Sequence, residues 1–450
     1  MLLHEAIQTY HDLLSDQIAQ DSQEQLDEQL RRRGLFFGDR PLCTVLRPRF
    51  FTPRQYRFLR GQVKVILSAF DKAYRTAIAD PSFLSQFFLE DWELELVNDD
   101  PGFNSPTPVS RLDAFFITNR DELRFTEYNA EVPAAGAYGD AFTELFYGLP
   151  VMREFMHRYE VISLPTRQHV MHALMSAYEE WLGRRERPNL IILDWREVPT
   201  YSEFRLFLDY FHSQGLDCII ADPREMEYRN GKLYAGNFRV DLIYKRVLIT
   251  ELVKEGGLNH PVIQAVRDKA VCMVNPFRCK ILYKKTSLAV LSDEQNRHLF
   301  DRAELLAIDQ TIPWTRTVEE RHTLHDNKPV DLIPFIVKYK DQFVLKPSDE
   351  YGGKGIVLGW LVDQAEWERS VTVAMESPFI VQERVDIPWE PFPSLVGGRV
   401  QVSNRMLDTA PFTFYGSYME GCLSRLGTDP LLNVTAGGGS SVPTFVIQKR

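Results

Sequence analysis

The chain has 450 residues, of which 52 are Lys or Arg and 62 are Asp or Glu, giving a net charge of −10. Hydrophobic residues make up 44% and charged residues 25%, the usage of an ordinary globular protein, which argues against long disordered segments. The acidic balance argues against non-specific nucleic-acid binding, because phosphate contacts need surplus Lys and Arg. At about 150 residues per domain, the length predicts two to three domains.

Neither a membrane segment nor a disulfide framework is indicated. No stretch approaches the ~18 consecutive apolar residues that a bilayer-spanning helix needs, and the first residues lack the basic-then-apolar pattern of a secretion signal. The cysteines are odd in number, scattered and without a C-x-x-C pair, which argues against zinc knuckles and disulfides. We therefore predict a cytoplasmic protein whose cysteines are reduced core residues, namely Cys43, Cys218, Cys272, Cys279 and Cys422.

The first hundred residues are predicted to form helices that serve as a structural scaffold. Apolar residues recur at steps of three and four from Leu3 to Ile18, which predicts a helical stretch that stops at Gly34. A second helix is predicted to begin after Thr52, because Thr52 and Gln55 have the spacing of a capping box.

Two runs of alternating polar and apolar residues, 111–118 and 123–129, flank a polar turn at 119–122 and predict a β-hairpin. If the loop has three or five residues, one face of this hairpin carries Arg111, Asp113, Glu127 and Asn129. Carboxylate and amide oxygens are ligands that suit Mg²⁺, and an arginine stabilises a transferring phosphoryl group. The alternative is a solvated polar face of an antiparallel sheet.

Strands and helices alternate in the middle of the chain. Apolar strands at 189–193, 218–221 and 240–244 are separated by a helix at 203–212 and by a tight turn, which predicts an α/β layer with parallel strands. Open α/β sheets bind ligands at the carboxyl ends of their strands. Arg246 follows the last of these strands, and we predict that it contacts an anionic substrate.

The strand 343–347 delivers Lys346, and a glycine-rich turn follows within six residues. Glycines let backbone N–H groups approach phosphate oxygens, and lysine supplies a point charge. The turn is not a Walker A loop, because Lys354 is followed by a glycine and an apolar strand instead of Ser or Thr and a helix. The alternative is a plain hairpin turn that contains Gly352, Gly353 and Gly355.

A further apolar strand at 378–385 ends in polar residues. Such a strand edge can offer backbone groups and a carboxylate to an adenine and its ribose. The alternative is a strand that simply ends at the surface.

Together these parts resemble the ATP-grasp family. A glycine loop after a strand lysine, a Gln-Glu-x-Val segment at 382–385 and an acidic and amide metal set are the parts of its nucleotide site. Here the metal set precedes the lysine in the chain, an order similar to the circularly permuted members related to glutathionylspermidine synthases. The resemblance implies an α/β (α+β) ATP-grasp fold, circularly permuted, with a Rossmann-like pre-ATP-grasp layer and N-terminal helices.

The resemblance also implies residue roles. Arg111 and Arg425 would stabilise the transferred phosphate, Asp113, Glu127 and Asn129 would hold Mg²⁺ (two ions), and Lys285 and Lys346 would contact ATP, with Lys284 able to exchange roles with Lys285. The glycine loop over the phosphates would comprise Gly352, Gly353 and Gly355, joined by Lys354 among the cations at the phosphates. The adenine and ribose pocket would comprise Gln382, Glu383 and Val385. The triplet 437–439 could touch the nucleotide, or could be a turn.

The predicted boundaries place a helical region at 1–105, the metal-ligand hairpin at 106–160, the Rossmann-like domain at 161–285 and the ATP-binding domain at 286–450. The activity implied is an ATP-dependent ligase that joins a small-molecule or peptide carboxylate to an amine through an acylphosphate. The alternatives are a phosphotransferase on the same fold and a non-catalytic nucleotide-binding protein. Glutathione and spermidine are not carried over as substrates, because no substrate motif matches.

Overall fold

The computed structural model describes residues 2–350, 352–428 and 439–450, except for the side chain of Phe37. The α-helices in these residues are α1 (Leu2–Asp12), α2 (Asp16–Arg33), α3 (Pro53–Ala79), α4 (Pro81–Leu84), α5 (Asp91–Val97), α6 (Gly136–Gly148), α7 (Pro150–Met156), α8 (Arg167–Leu182), α9 (Tyr201–Ser213), α10 (Ile249–Gly256), α11 (Pro261–Arg267), α12 (Cys279–Tyr283), α13 (Thr286–Ser292), α14 (Arg302–Thr311), α15 (Leu332–Lys338) and α16 (Gln364–Glu376).

The strands in the same residues are β1 (Phe36–Phe37), β2 (Arg40–Pro41), β3 (Arg49–Phe51), β4 (Val109–Ile117), β5 (Glu122–Asn129), β6 (Tyr159–Ser163), β7 (Leu190–Leu193), β8 (Cys218–Ala221), β9 (Met226–Arg229), β10 (Lys232–Ala235), β11 (Phe238–Val240), β12 (Leu242–Lys245), β13 (Cys272–Val274), β14 (Thr315–Thr317), β15 (His322–His325), β16 (Lys328–Asp331), β17 (Phe343–Pro347), β18 (Val357–Leu358), β19 (Phe379–Glu383), β20 (Trp389–Val396), β21 (Arg399–Leu407), β22 (Ala410–Phe414), β23 (Tyr418–Gly427) and β24 (Ser440–Lys449).

The N-terminal helical stretch is divided into α1 and α2. Ser15 has an extended backbone and precedes α2, in keeping with the preference of serine for helix starts over helix interiors. Gly34 ends α2 as predicted, in the left-handed conformation with φ 64°. The capping box of Thr52 and Gln55 starts α3, also as predicted.

The largest sheet has nine strands and contains the predicted hairpin. Its main path is antiparallel in the order β20-β21-β23-β22-β4-β5, and β24 pairs with β23, β3 and β6. On one face of β4 and β5, Leu112, Phe116 and Phe125 pack in one core with Leu59 and Phe70 of α3. Burial of this apolar face leaves the polar residues of the hairpin on the other face.

A second sheet is parallel, as the sequence predicts, with strand order β13-β12-β7-β8. Alternate residues of β7 pack on opposite sides. Leu190 and Ile192 join the core with α8 and α9, whereas Ile191 and Leu193 join the core with α10 and α11. Because helices cover both faces, the carboxyl-end edge of this sheet is where a ligand can approach its strands.

A third sheet, antiparallel in the order β14-β19-β17-β18, carries the predicted nucleotide strands. Its core side packs on α15 and α16, with Trp367 fully buried against Phe343 and Val381. The register places Lys346 opposite Ile380 and Val344 opposite Gln382.

Two negative expectations can be compared with the described residues. In the ranges given above, no helix has both the length and the apolar character to cross a membrane. Each of the five cysteines is buried and free, so the prediction of core cysteines is confirmed.

Candidate active site

One cavity of about 600 Å³ is lined by residues of the nine-stranded sheet and of the third sheet, and by residues that follow the strands of the parallel sheet at its carboxyl end. It collects side chains that lie far apart in the sequence. The predicted site residues in its wall are Arg111, Asp113, Glu127, Asn129, Arg246, Lys346, Gly352, Gly353, Gln382, Glu383, Val385 and Arg425.

A β-bulge in the hairpin brings the predicted metal set onto one face. The loop is 118–121, so it has an even number of residues, and the register stays regular from Ile117 opposite Glu122 to Ala114 opposite Phe125. The register then shifts by one residue, and Asp113 pairs with Glu127. Without this shift, Glu127 would lie on the face that is buried against α3, because a one-residue slip exchanges the two faces of a strand.

Asp113 is held by two arginines from different strands. Arg111 donates from Nε to Oδ1 at 2.7 Å, and Arg425 donates from Nη2 to Oδ2 at 2.7 Å. Burial alone would raise the pKa of Asp113, but the two guanidinium groups hold it below its ordinary value. Asp408 in turn accepts from the backbone N–H of Arg425 at 2.6 Å and from its side chain. The carboxylate at the centre of the site is therefore ionised and fixed in position.

The other two predicted metal ligands have uncommitted atoms. Glu127 forms an ion pair with Lys285, Nζ to Oε1 at 3.0 Å, and the amide Nδ2 of Asn129 is buried without a hydrogen-bond partner among the described residues. No group of three His, Cys, Asp or Glu in these residues could hold a metal ion by itself. A divalent cation here therefore needs the amide oxygen of Asn129 beside the two carboxylates, a donor set that fits Mg²⁺.

Lys346 is buried beside the hairpin. Its Nζ donates to Gln382 Oε1 at 2.7 Å and to the backbone oxygen of Thr126 at 3.1 Å. Burial lowers the pKa of Lys346 to about 8, against the opposing effect of Glu127. The amino group thus lies between the predicted adenine strand and the predicted metal set.

The side chains of the neighbouring Lys284 and Lys285 pair with different carboxylates. Lys285 donates from Nζ to Glu127 at 3.0 Å and to the backbone oxygen of Glu350 in the glycine-rich segment. Lys284 instead forms ion pairs with Glu93 at 2.7 Å and Asp349 at 3.1 Å. Of the two, Lys285 is therefore the one beside the predicted metal set.

The glycine loop has the backbone conformation that its composition predicts. Gly352 and Gly353 have φ values of 67° and 79°, the left-handed region that favours glycine, and both line the cavity. Gly355 also has a positive φ, but it lies outside the cavity wall and against Pro347. Lys354 is exposed, pairs with Glu350 and lies outside the cavity wall, and its contact with a triphosphate stays a prediction.

Arg246 lies in the cavity wall, but both terminal nitrogens of its guanidinium group already donate hydrogen bonds within the protein. It donates from Nη1 to Pro133 O at 2.7 Å and from Nη2 to Glu203 Oε2 at 3.2 Å. Its Nε is buried without a partner among the described residues. A contact with an anionic substrate stays a prediction for this residue.

Three acidic residues of the wall were not predicted from the sequence. Asp408 holds Arg425, and no local pattern marks it, because the contact forms between strands that pair only in the folded chain. Asp194 and Glu251 line the side of the cavity that also contains Arg246. Asp194 directly follows β7 at the carboxyl end of the parallel sheet, which is the signal that could have identified it.

The triplet 437–439 was considered as a nucleotide contact. Residues 437 and 438 lie outside the described residues. Ser441, two residues beyond the triplet, lines the cavity.

The whole chain superposes on a solved structure. A glutathione synthetase-like effector from Globodera pallida, in its apo form, matches with a TM-score of 0.59 at 13% identity, covering 96% of this chain and 98% of that one. The chain has an ATP-grasp fold. The predicted α/β fold class is thus confirmed, and at 13% identity the shared feature is the fold.

Two further structures are less similar. A protein described as a γ-glutamylcysteine synthetase from Methylobacillus flagellatus gives a TM-score of 0.44 at 11% identity, covering 85% of this chain and 88% of that one. A RimK domain ATP-grasp protein from Sphaerobacter thermophilus gives 0.28 at 15% identity, covering 57% and 90%. No family model matches the sequence, and no curated protein matches it.

Proposed function

We propose that the chain is an ATP-dependent ligase that joins a carboxylate to an amine. The observation that carries this proposal is the single cavity in which Arg111, Arg425 and Lys346 surround an oxygen ligand set. Such a concentration of cations and hard oxygen ligands suits a magnesium-bound triphosphate. The cavity continues past the cations to Arg246, which leaves space for a second and a third reactant.

In this proposal, the nucleotide lies between the third sheet and the hairpin. Lys285 and Lys346 contact the phosphates, and the backbone N–H groups of Gly352 and Gly353 face them from the loop. The strand edge that binds adenine and ribose comprises Gln382, Glu383 and Val385, all in the cavity wall.

Mg²⁺ fits the ligand set of Asp113, Glu127 and Asn129. The amide oxygen of Asn129 would be the third ligand, and the buried Nδ2 of the same amide, a donor without a partner among the described residues, would be satisfied by a nucleotide oxygen. When bound, Mg²⁺ would neutralise charge on the phosphate oxygens. Arg111 and Arg425 keep Asp113 ionised and in place for this role.

The proposed reaction has two steps. A substrate carboxylate attacks the γ-phosphorus of ATP, forming an acylphosphate and releasing ADP. The amine, bound as an ammonium ion, first loses a proton to water. The uncharged amine then attacks the carbonyl carbon, so that a C–N bond forms, the C–O bond breaks, and the second proton lost by the nitrogen leaves with the phosphate as hydrogen phosphate. Arg111 and Arg425 stabilise the charge that develops on the phosphoryl group, and the protein needs no nucleophilic side chain of its own.

We further propose that the segment order is the circularly permuted one, as in relatives of glutathionylspermidine synthases, and that the enzyme acts in the cytoplasm. The hairpin with the oxygen ligands lies in the first third of the chain, and the strand with Lys346 lies in the last third. This order supports the permuted arrangement.

Product analysis tests the ligase proposal. With Mg-ATP and a panel of carboxylic acids, hydroxylamine traps the acylphosphate of a ligase, which gives a hydroxamate and equal amounts of ADP and phosphate. A phosphotransferase instead forms ADP and a stable phosphorylated product, with no free phosphate. Asp113→Asn should abolish hydroxamate formation, and Lys232→Gln, at an exposed lysine of β10 outside the cavity, should leave it unchanged.

A further inference from the structure

Two carboxylates in the cavity wall, Asp194 and Glu251, form no ion pair within the part of the chain that the structure describes. Asp194 is only 6% exposed, and Glu251 lies in the first turn of α10. The buried carboxylates nearby are matched, since Glu131 pairs with Lys245 at 3.2 Å and Glu203 pairs with Arg246 at 3.2 Å.

Trp195 fixes the orientation of both carboxylates. Its backbone N–H donates to Asp194 Oδ1 at 2.8 Å, and its indole Nε1 donates to Glu251 Oε2 at 3.0 Å. The other oxygen of each carboxylate accepts no hydrogen bond from the described residues. One residue thus positions two carboxylates in the same wall and leaves an acceptor oxygen of each available.

Burial of the Asp194 charge is unfavourable in the unliganded protein. Burial raises the pKa of Asp194 to about 6, and the charge of Glu251 acts in the same direction. Arg246 has the opposite effect, but its own partner is Glu203. A positive charge supplied by a ligand would offset the unfavourable burial of Asp194.

We propose that Asp194 and Glu251 form a subsite that binds the ammonium group of an amine substrate. This inference rests on the proposed ligase function and adds to it the side of the cavity from which the amine enters. An ammonium group has only donors, and two carboxylate oxygens without donors are its natural acceptors. The subsite therefore selects a positively charged amine over neutral or anionic compounds of the same size.

Simple probes test the subsite without knowledge of the substrate. n-Butylammonium chloride at neutral pH supplies the charge, and 1-butanol is its uncharged counterpart. In titration calorimetry, the wild-type chain should bind butylammonium at least about tenfold more tightly than butanol. Asp194→Asn and Glu251→Gln should each weaken butylammonium binding by about tenfold and leave butanol binding unchanged. Equal affinities for the two probes, or unchanged affinity in both variants, would overturn the proposal.

Matched controls separate the subsite from general charge. Asp209→Asn and Glu255→Gln remove exposed carboxylates, the second on the same helix as Glu251, and both should bind butylammonium like the wild type. Equal weakening in these controls would contradict a specific subsite. If Asp194→Asn does not fold, Glu251→Gln decides the question.

The stabilisation of each variant by Mg-ATP provides an independent readout. A variant that loses butylammonium binding but is still stabilised by Mg-ATP has an intact nucleotide site, which supports the subsite. If the wild type binds butylammonium and not Mg-ATP, the ammonium subsite stands and the ligase proposal fails.

Discussion

Lys346 is buried, and its protonated amino group is a positive charge that binds the phosphates in the proposed nucleotide site. Because burial lowers its pKa to about 8, the free protein carries this charge below about pH 8 and loses it as the pH rises. A bound polyanion raises the pKa, so proton uptake accompanies binding above about pH 8. We expect the affinity for Mg-ATP to be flat below this pH and to fall roughly tenfold per pH unit above it.

The matched variant for this prediction is Lys346→Arg, which stays charged throughout this range. Calorimetric titrations with Mg-ATP between about pH 7 and pH 9 should show a smaller decline for the variant than for the wild type. The same decline in both proteins would mean that another group titrates.

Lys284 and Lys285 should respond differently to the same substitution. Lys285→Met removes a cation beside Glu127 and should weaken Mg-ATP binding by about tenfold or more, measured by calorimetry. Lys284→Met removes the ion pairs of this lysine with Glu93 and Asp349. It should therefore lower the free energy of unfolding by about 3 kcal/mol, measured by urea denaturation. The reverse pattern would exchange the roles of the two lysines.

At the scale of elements, a buried ion cluster holds the segment that leads into the glycine loop. Asp349 accepts from Lys280 at 2.7 Å and from Lys284 at 3.1 Å, while Glu93 of α5 pairs with both lysines. We expect Asp349→Asn to loosen the segment and to speed hydrogen exchange of the amides in 352–356. Glu350→Gln is the control, because the Glu350 carboxylate pairs with the exposed Lys354. Equal exchange in the two variants would contradict this anchoring role.

The hairpin shows how far the sequence could predict this site. Its alternation of polar and apolar residues predicted two strands and the four residues of one face. The loop has an even number of residues, however, and the shared face depends on the bulge between Asp113 and Ala114. A bulge of this kind has no signature in the sequence, because it depends on which strand faces are buried in the folded chain. The sequence also does not show that Lys354 is exposed and lies outside the cavity wall, because this depends on the path of the folded loop.

At the scale of the whole molecule, the last described strand joins distant parts of the chain. β24 pairs with β3 in parallel and with β6 and β23 in antiparallel orientation, and most of its residues are buried. Removal of 440–450 should therefore abolish cooperative thermal unfolding, measured by circular dichroism. Removal of 449–450 alone, which deletes an exposed ion pair with Glu5, should change the free energy of unfolding by less than about 1 kcal/mol. Cooperative unfolding of the longer truncation would contradict this role of β24.

The sequence predicted the fold class, the parallel layer and most of the charged residues in the cavity wall, since these depend on local patterns and on the recognised motif order. It did not predict the nine-stranded sheet, which pairs strands from the first, middle and last parts of the chain. Pairings over such separations depend on packing and not on local pattern. The domain boundaries at 1–105, 106–160, 161–285 and 286–450 stay predictions.

Binding of Mg-ATP is the central claim, and thermal stability measures it most directly. At about a hundredfold excess over its dissociation constant, a ligand adds roughly 2.7 kcal/mol to the free energy of unfolding. Mg-ATP should therefore raise the melting temperature of the wild type and of the exposed-lysine variant Lys232→Ala equally, and it should not raise that of Asp113→Ala or Lys346→Ala. No shift in the wild type, or a full shift in both cavity variants, would contradict the account.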